Sequence, residues 1–156
     1  MKRKIIRYSI LTVVLAIVIG GSYGAYVWFM PHRDVQATPV DYTIEATQLV
    51  NEYLEDPTKA NDKYLQEEGD SKIIAVTGSI ISIETDMNDQ KVLLLRNEDE
   101  EAGVSCTFTA ETNANAEKLQ IGDQVTIKGV IRSGASYDED LEMYEDVIIE
   151  KCDVLQ

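Results

Sequence analysis

The chain opens on a long apolar run: no residue from Tyr8 to Met30 is charged. Wound as a helix, that run extends about 34 Å at ~1.5 Å per residue, enough for a hydrocarbon core of roughly 30 Å. Lys2, Arg3, Lys4 and Arg7 precede it. The positive-inside bias therefore places a basic tip (1–7) in the cytoplasm, a transmembrane anchor at 8–30, and everything later outside the cytoplasm. Tyr23, Tyr26, Trp28 and Phe29 gather at the far end, where such rings settle at the membrane interface, and Pro31 ends the helix. A cleaved signal peptide with its small-residue site at residues 20–25 is the competing reading. The apolar run continues past those residues without an Ala-x-Ala site, which favours an uncleaved anchor. Both readings export the rest of the chain. Gly20 and Gly24 would let two such helices pack closely, a spacing too common in membrane helices to fix an oligomeric state.

Residues 31–42, with Pro31 and Pro39 and no periodicity, read as a juxtamembrane spacer. Residues 43–71 form a helical segment. Its first helix is expected over about Thr43 to Glu55, with Thr43 as N-cap and Ile44, Ala46, Leu49, Val50, Tyr53 and Leu54 as its apolar stripe. Asp56 then caps a short second helix that starts at Pro57 and reaches Tyr64-Leu65. Gln66 to Ser71 is polar and turn-like.

From Lys72 the period changes to two, and residues 72–156 are expected to be β-rich. Ile74, Val76, Gly78 and Ile80 alternate before Ile81 and Ile83 take the opposite phase, which predicts a bulge or bend near Gly78-Ser79. Asp86 to Gln90 is a turn, Lys91 to Arg96 a second strand, Asn97 to Gly103 an acidic loop. Val104, Cys106 and Phe108 mark a third, half-buried strand. A short helix over Asn113 to Gln120 follows, with Ala116 and Leu119 facing inward. The fourth strand carries Val125, Ile127, Gly129 and Ile131 inward. A polar loop (134–142) precedes a last strand from about Tyr144 to Val154. Ala75-Val76-Thr77-Gly78-Ser79-Ile80 also matches Thr126-Ile127-Lys128-Gly129-Val130-Ile131, each with glycine where a long strand must bend. Bent strands let a small barrel close. Five strands with a short helix between the third and fourth describe an oligonucleotide/oligosaccharide-binding (OB) barrel. The expected class is thus mainly β with short helices: a five-stranded OB-fold barrel preceded by a transmembrane helix and a helical segment.

The segments Ala60-Asn61-Asp62-Lys63-Tyr64-Leu65, Ile74-Ala75-Val76-Thr77-Gly78-Ser79-Ile80, Val104-Ser105-Cys106-Thr107-Phe108 and Leu119-Gln120-Ile121-Gly122-Asp123-Gln124-Val125-Thr126-Ile127-Lys128-Gly129, with the terminal Cys152, resemble the tRNA_anti-like family of bacterial OB-fold proteins. The likeness covers roughly residues 45 to 156, and Pro31-His32-Arg33-Asp34-Val35 resembles the membrane-proximal stretch of its anchored members. The resemblance implies the fold and brings no set of functional residues. The family name records a likeness to anticodon-binding domains.

Charge narrows the partners. Past residue 30, 10 Lys+Arg face 28 Asp+Glu, a balance of −18. That field repels phosphate backbones and attracts cations or basic partners, and it also simply keeps the domain soluble. Single-stranded nucleic acid needs a positive groove with stacking platforms. The strand region offers only Phe108, Tyr137 and Tyr144 in an acidic surface, which argues against nucleic acid as the ligand. The sole histidine, His32, sits in the spacer, and no phosphate loop, nucleotide fingerprint or zinc-protease signature is present, so no catalytic site and no cofactor are expected. Three acidic stretches, Asp86-Met87-Asn88-Asp89, Glu98-Asp99-Glu100-Glu101 and Asp138-Glu139-Asp140, are weak Ca²⁺ candidates; Asp86, Asp89, Asp138 and Asp140 fall in the loops that flank the usual OB ligand face, without EF-hand spacing.

Cys106 and Cys152 are the only cysteines. Two core-facing strand cysteines in an oxidising compartment are a natural disulfide, worth roughly 4 kcal/mol for a loop of about 46 residues; two buried free thiols are the alternative. These readings converge on a membrane-anchored, extracytoplasmic OB-fold binding module without enzymatic activity, tethered to the cytoplasmic membrane through 8–30. Its partner is expected to be an envelope protein or a basic ligand. The alternative is a sensor of a small ligand or divalent cation in the envelope.

Overall fold

The computed structural model describes residues 13, 15–26, 34–65 and 71–155. The chain separates into two compact units, Met1–Arg33 and Asp34–Gln156. In the first, residues 15–26 are helical, with Leu15, Ile17, Val18 and Ile19 exposed. Among the described residues no helix is long and apolar enough to cross a membrane. The rest of the anticipated 8–30 span lies outside the described residues, as do His32 and residues 66–70 of the expected turn.

The second unit is built around β2 (Ile73–Thr85), whose thirteen residues serve two partners in succession. Its first half pairs antiparallel with β5 (Gln124–Ser133), and its second half pairs antiparallel with β3 (Lys91–Leu95). The handover needs a change of direction, and the register slips between Ile80 and Ser82. The bulge thus lies past the Gly78-Ser79 step that alternation predicted. Gly78 instead makes room for neighbouring elements. A Cβ there would stand 3.1 Å from the β-carbons of both Ala46 and Leu95, so its missing side chain lets them approach. β3 continues antiparallel into β4 (Val104–Phe108), which lies parallel to β8 (Val147–Val154), and β8 pairs with β5. The ring β2-β3-β4-β8-β5-β2 is closed, a five-stranded barrel. The two similar segments in the sequence turn out to be partners across the closing seam. Val76 faces Ile127, Thr77 faces Thr126 with hydroxyls 2.9 Å apart, and Ile74 faces Gly129.

The barrel interior follows from period-two burial: Val104, Cys106 and Phe108 are buried while Ser105 and Thr107 turn outward. In β8 the phase slips, because Val147, Ile149 and Cys152 all point inward. Lys151, at φ 55°, absorbs the extra residue.

Two expectations are corrected ahead of the barrel. Tyr42–Glu45 is not the first turn of a helix but a strand, β1, parallel to β2 with Ile44 opposite Val76. The β-branched Thr43 and Ile44 suit an extended backbone, and the edge of β2 offers unpaired groups that outweigh a helix cap. Helix α1 therefore begins at Ala46 and runs to Glu55, with no side-chain cap. Asp56 does cap the following helix α2 (Pro57–Tyr64), accepting the Lys59 N–H at 3.0 Å. The second correction concerns residues 34–41, which are docked rather than a free spacer. Val35 is buried, Lys128 Nζ on β5 donates to the carbonyls of Gln36 (2.9 Å) and Thr38 (2.5 Å), and Asp41 exchanges two bonds with Ile73.

Each barrel mouth is plugged. α1 buries Leu49, Val50 and Tyr53 in one apolar cluster with Leu95, Val104 and Val147 of the barrel. Gly134 lies against the Tyr53 ring, closer than any Cβ would allow. Tyr53 stacks on Tyr64 at 6.2 Å, and Tyr64 donates to Glu52 at 2.8 Å beside the Glu52–Lys63 ion pair, also 2.8 Å. Burial alone would raise the Glu52 carboxyl, but hydrogen bonds from Lys63 and Tyr64 and the Lys63 charge hold it below the usual value. At the opposite mouth sits only a single turn, α3 (Asn113–Ala116), shorter than the expected 113–120 helix, with Ala116 buried.

Candidate functional site

The outer surface of β2, β3 and β4 lies between two loop systems, the 86–90 turn at the α3 mouth and the 96–103 and 134–146 loops at the α1 mouth. Register places Glu84, Val92 and Thr107 in one outward row and Ser82, Leu94, Ser105 and Ile148 in the next. These side chains are half-buried to exposed, aliphatic or hydroxylic apart from Glu84, and none of the named positions carries a ring. Phe108, counted among the stacking candidates in the sequence, points into the core and is fully buried.

The expected polar 134–142 loop is instead a ribbon. β6 (Ser136–Asp138) pairs antiparallel with β7 (Met143–Glu145), and Asp146 separates β7 from β8, which shortens the anticipated last strand. The ribbon sets Tyr137 directly opposite Tyr144, ring centroids 4.9 Å apart. Asp138 accepts the N–H groups of Asp140 and Leu141 to make the turn, and Glu142 completes it in the left-handed region at φ 52°. Asp146 accepts the Gly103 N–H at 2.7 Å, tying this ribbon to the acidic 96–103 loop.

Between ribbon and loop lies an open depression of about 640 Å³, walled by Tyr137, Met143 and Tyr144 on one side and by Arg96, Glu100 and Glu101 on the other. A second hollow of about 350 Å³ lies on the other side of Tyr144, against Leu54 of α1 and the same two glutamates. Arg96 reaches the Glu101 carbonyl at 3.3 Å. Burial would raise the Glu100 carboxyl, but hydrogen bonds from Thr47 and Asn97 and the Arg96 charge keep it low.

The four weak metal candidates are not brought together. Asp86 and Asp89 lie in the turn at the α3 mouth, Asp138 and Asp140 in the ribbon at the α1 mouth. The Asp86 carboxylate is already occupied by the N–H groups of Gln90 and Asn88, both at 2.8 Å, and these bonds hold its pKa down. Among the described residues no group of three or more His, Cys, Asp or Glu could hold a metal ion.

Cys106 and Cys152 are free, fully buried thiols on the neighbouring strands β4 and β8. Burial pushes the Cys152 thiol well above its ordinary value, helped by a hydrogen bond with Cys106 and by Glu150 and Asp153. A thiolate is therefore strongly disfavoured in the native core.

The match to a known family covers residues 1–140 and is to the one described as tRNA_anti-like. The chain belongs to that family. The match reaches further upstream than the strand and loop motifs alone indicated, taking in the whole apolar segment, and stops short of the last strand. Among solved structures, this tRNA_anti-like protein is similar to a presumptive nucleic acid-binding lipoprotein from Klebsiella pneumoniae subsp. pneumoniae MGH 78578, 18% identical, with a TM-score of 0.54 over 76% of this chain and all of the other. At that identity the likeness is one of fold. An OBody bound to hen egg-white lysozyme is 19% identical with a TM-score of 0.38, over 55% of this chain and 96% of its own. RecG bound to a three-way DNA junction is 13% identical with a TM-score of 0.32, over 90% of this chain and 21% of its own. No curated protein matches the sequence.

The ribbon was the main feature that sequence reading missed. Its signal was present: Ser136-Tyr137-Asp138 and Met143-Tyr144-Glu145 flank a four-residue acidic turn. The acidic composition of the stretch masked the pairing.

Proposed function

We propose that this tRNA_anti-like protein is a non-enzymatic binding module, held at the outer face of the cytoplasmic membrane by residues 8–30 with its 1–7 tip in the cytoplasm. Residues 31–42 would then be the membrane-proximal strap, 43–71 the segment that carries the plugging helices α1 and α2, and 72–156 the barrel that engages a protein or another envelope component. The observation that carries the reading is the outward surface of β3, β4 and β8. Val92, Leu94 and Ile148 lie there among hydroxyl-bearing Ser105 and Thr107, beside hollows rather than a closed catalytic cleft. An aliphatic, hydroxylic face suits a polypeptide surface better than a nucleotide base, which wants rings and cations. In support of the anchor, the family match includes the uncharged 8–30 stretch and its basic prefix.

The oxidising compartment gives the thiol pair a role in the same reading. A disulfide-bearing oxidant of the envelope would accept two electrons and two protons, its own S–S bond breaking to a dithiol as the Cys106 and Cys152 S–H bonds break and one S–S bond forms between them. Such closure would occur during folding, before burial shuts both sulfurs away.

Photo-crosslinking from position 94 or 148 of the full chain in native membranes tests the binding role. A discrete protein adduct is expected; labelling of lipid alone would contradict it. A reporter fused after Gln156 tests the topology, active outside the cytoplasm on this account and inside it on the opposite one. The Klebsiella lipoprotein supplies a second reading, nucleic acid as ligand. It predicts salt-sensitive oligonucleotide binding by the purified chain, whereas a domain of this acidity should show none.

A further inference from the structure

Of the nine large apolar side chains exposed among the described residues of the barrel unit, four gather in one place. Tyr137, Leu141 and Met143 of the ribbon are 48%, 66% and 53% exposed, and Leu54 of α1, 37% exposed, lines the adjoining hollow. Around them the 96–103 and 134–146 loops carry ten carboxylates and one cation, Arg96. None of these carboxylates forms an ion pair among the described residues, where the pairs are Glu52–Lys63 and Arg132–Glu150. A purely solvating acidic surface has no need of two tyrosine rings packed at 4.9 Å with a 56° tilt and a methionine beside them. Aromatic and methionine side chains enriched in a hollow are the mark of an anchor site, and unpaired acids at its rim select the charge of what enters.

We propose that the Tyr137–Tyr144 ribbon and the Glu100-Glu101 loop form a docking groove for a basic, amphipathic segment of a partner protein. This rests on the binding-module reading and assigns it a partner chemistry. Apolar side chains of that segment seat against Tyr137, Met143 and Tyr144, while its lysines or arginines meet Glu101 and Glu142. A cation over the exposed Tyr137 ring adds a further attraction. Glu142 occupies a left-handed position that glycine would adopt more readily, so its side chain is kept at some cost to stability.

The test uses the full chain in nonionic detergent and a short fluorescent peptide alternating lysine and leucine, followed by anisotropy. Tyr137→Ala with Tyr144→Ala should weaken binding roughly tenfold without changing charge. Glu101→Gln with Glu142→Gln should weaken it comparably, while the charge-matched Asp89→Asn with Glu111→Gln, at the other mouth, should change it less than about twofold. Glu142→Gly should raise the melting temperature and still lose affinity, which separates the groove from mere folding. Equal weakening by both charge pairs, or full affinity in the tyrosine variant, would overturn the proposal. If crosslinks from positions 94 and 148 capture a discrete partner while the peptide does not bind, the groove is refuted and the binding module stands.

Discussion

The two mouths of the barrel are closed by unlike means. At the α3 mouth a single helical turn suffices because side-chain amides and hydroxyls complete the closure. Asn113 accepts the Lys91 N–H and donates to the Asp89 carbonyl, Thr112 donates to the Cys152 carbonyl at 2.7 Å, and Asn115 bonds Asp153. These polar groups are spent on the fold. At the α1 mouth a three-tyrosine, three-element plug does the closing, and the loops above it are left with the exposed Tyr137 ring and with acids that form no ion pair among the described residues. A rim thus keeps apolar side chains such as Tyr137, Leu141 and Met143 free to bind when the plug below it closes the mouth without them.

The sharpest way to break the comparison is to disturb the α1 plug. Gly134→Ala drives a Cβ into the Tyr53 ring and should cost about 2–3 kcal/mol in chemical denaturation, as overpacked cores do. Gly122→Ala, in the turn before β5, has open space around it and loses only through its φ of +95°, about 1 kcal/mol.

Alkali attacks the same plug. Burial, followed by the charges of Tyr64 and Glu52, pushes the Tyr53 phenol up from 10.0 to about 12. Because the folded value is the higher one, this stability is complete below pH 10 and is lost as pH rises through about 12, on the order of 2–3 kcal/mol. Tyr53→Phe should remove that alkaline loss. It should leave neutral-pH stability unchanged or slightly higher, since the buried Tyr53 hydroxyl has no hydrogen-bond partner among the described residues.

At the α3 mouth, Thr112→Val removes the bond to the Cys152 carbonyl and another from the Thr109 N–H at 3.0 Å. A loss of about 1–2 kcal/mol is expected by thermal melting. Lys128→Met, which strips the strap of its two carbonyl contacts, should cost a similar amount and expose residues 34–41 to protease. The smallest effect on stability belongs to the rim. Tyr137→Ala should stay within about 0.5 kcal/mol, as substitutions outside the core do, while binding suffers.

Much of the barrel was legible because its strands obey period two without exception at Val104-Cys106-Phe108 and at Val125-Ile127. What misled was tertiary in origin. Thr43-Ile44 carries a helical stripe and β-branched residues at once, and only the vacant edge of β2 decides between them. The docking of residues 34–41 depends on Lys128, a lysine that alternation assigns no special role, buried at 6% exposure because backbone carbonyls far along the chain surround its charge. The candidate surface was half legible. Tyr137 and Tyr144 stood out as aromatics, yet their facing geometry requires a turn with Glu142 in a conformation that acidic residues seldom adopt. The acidic stretches resembled cation sites, but Asp86 and Asp138 spend their oxygens capping their own turns.

The most direct measurement compares the mouths in one experiment. A photo-crosslinking residue is placed at position 137 or at position 87, the latter a fully exposed methionine at the α3 mouth, in the full chain in its native membrane. The account predicts a discrete protein adduct from 137, competed away by the lysine-leucine peptide, and none from 87. An adduct from 87 alone, or the same adduct from both, would contradict it.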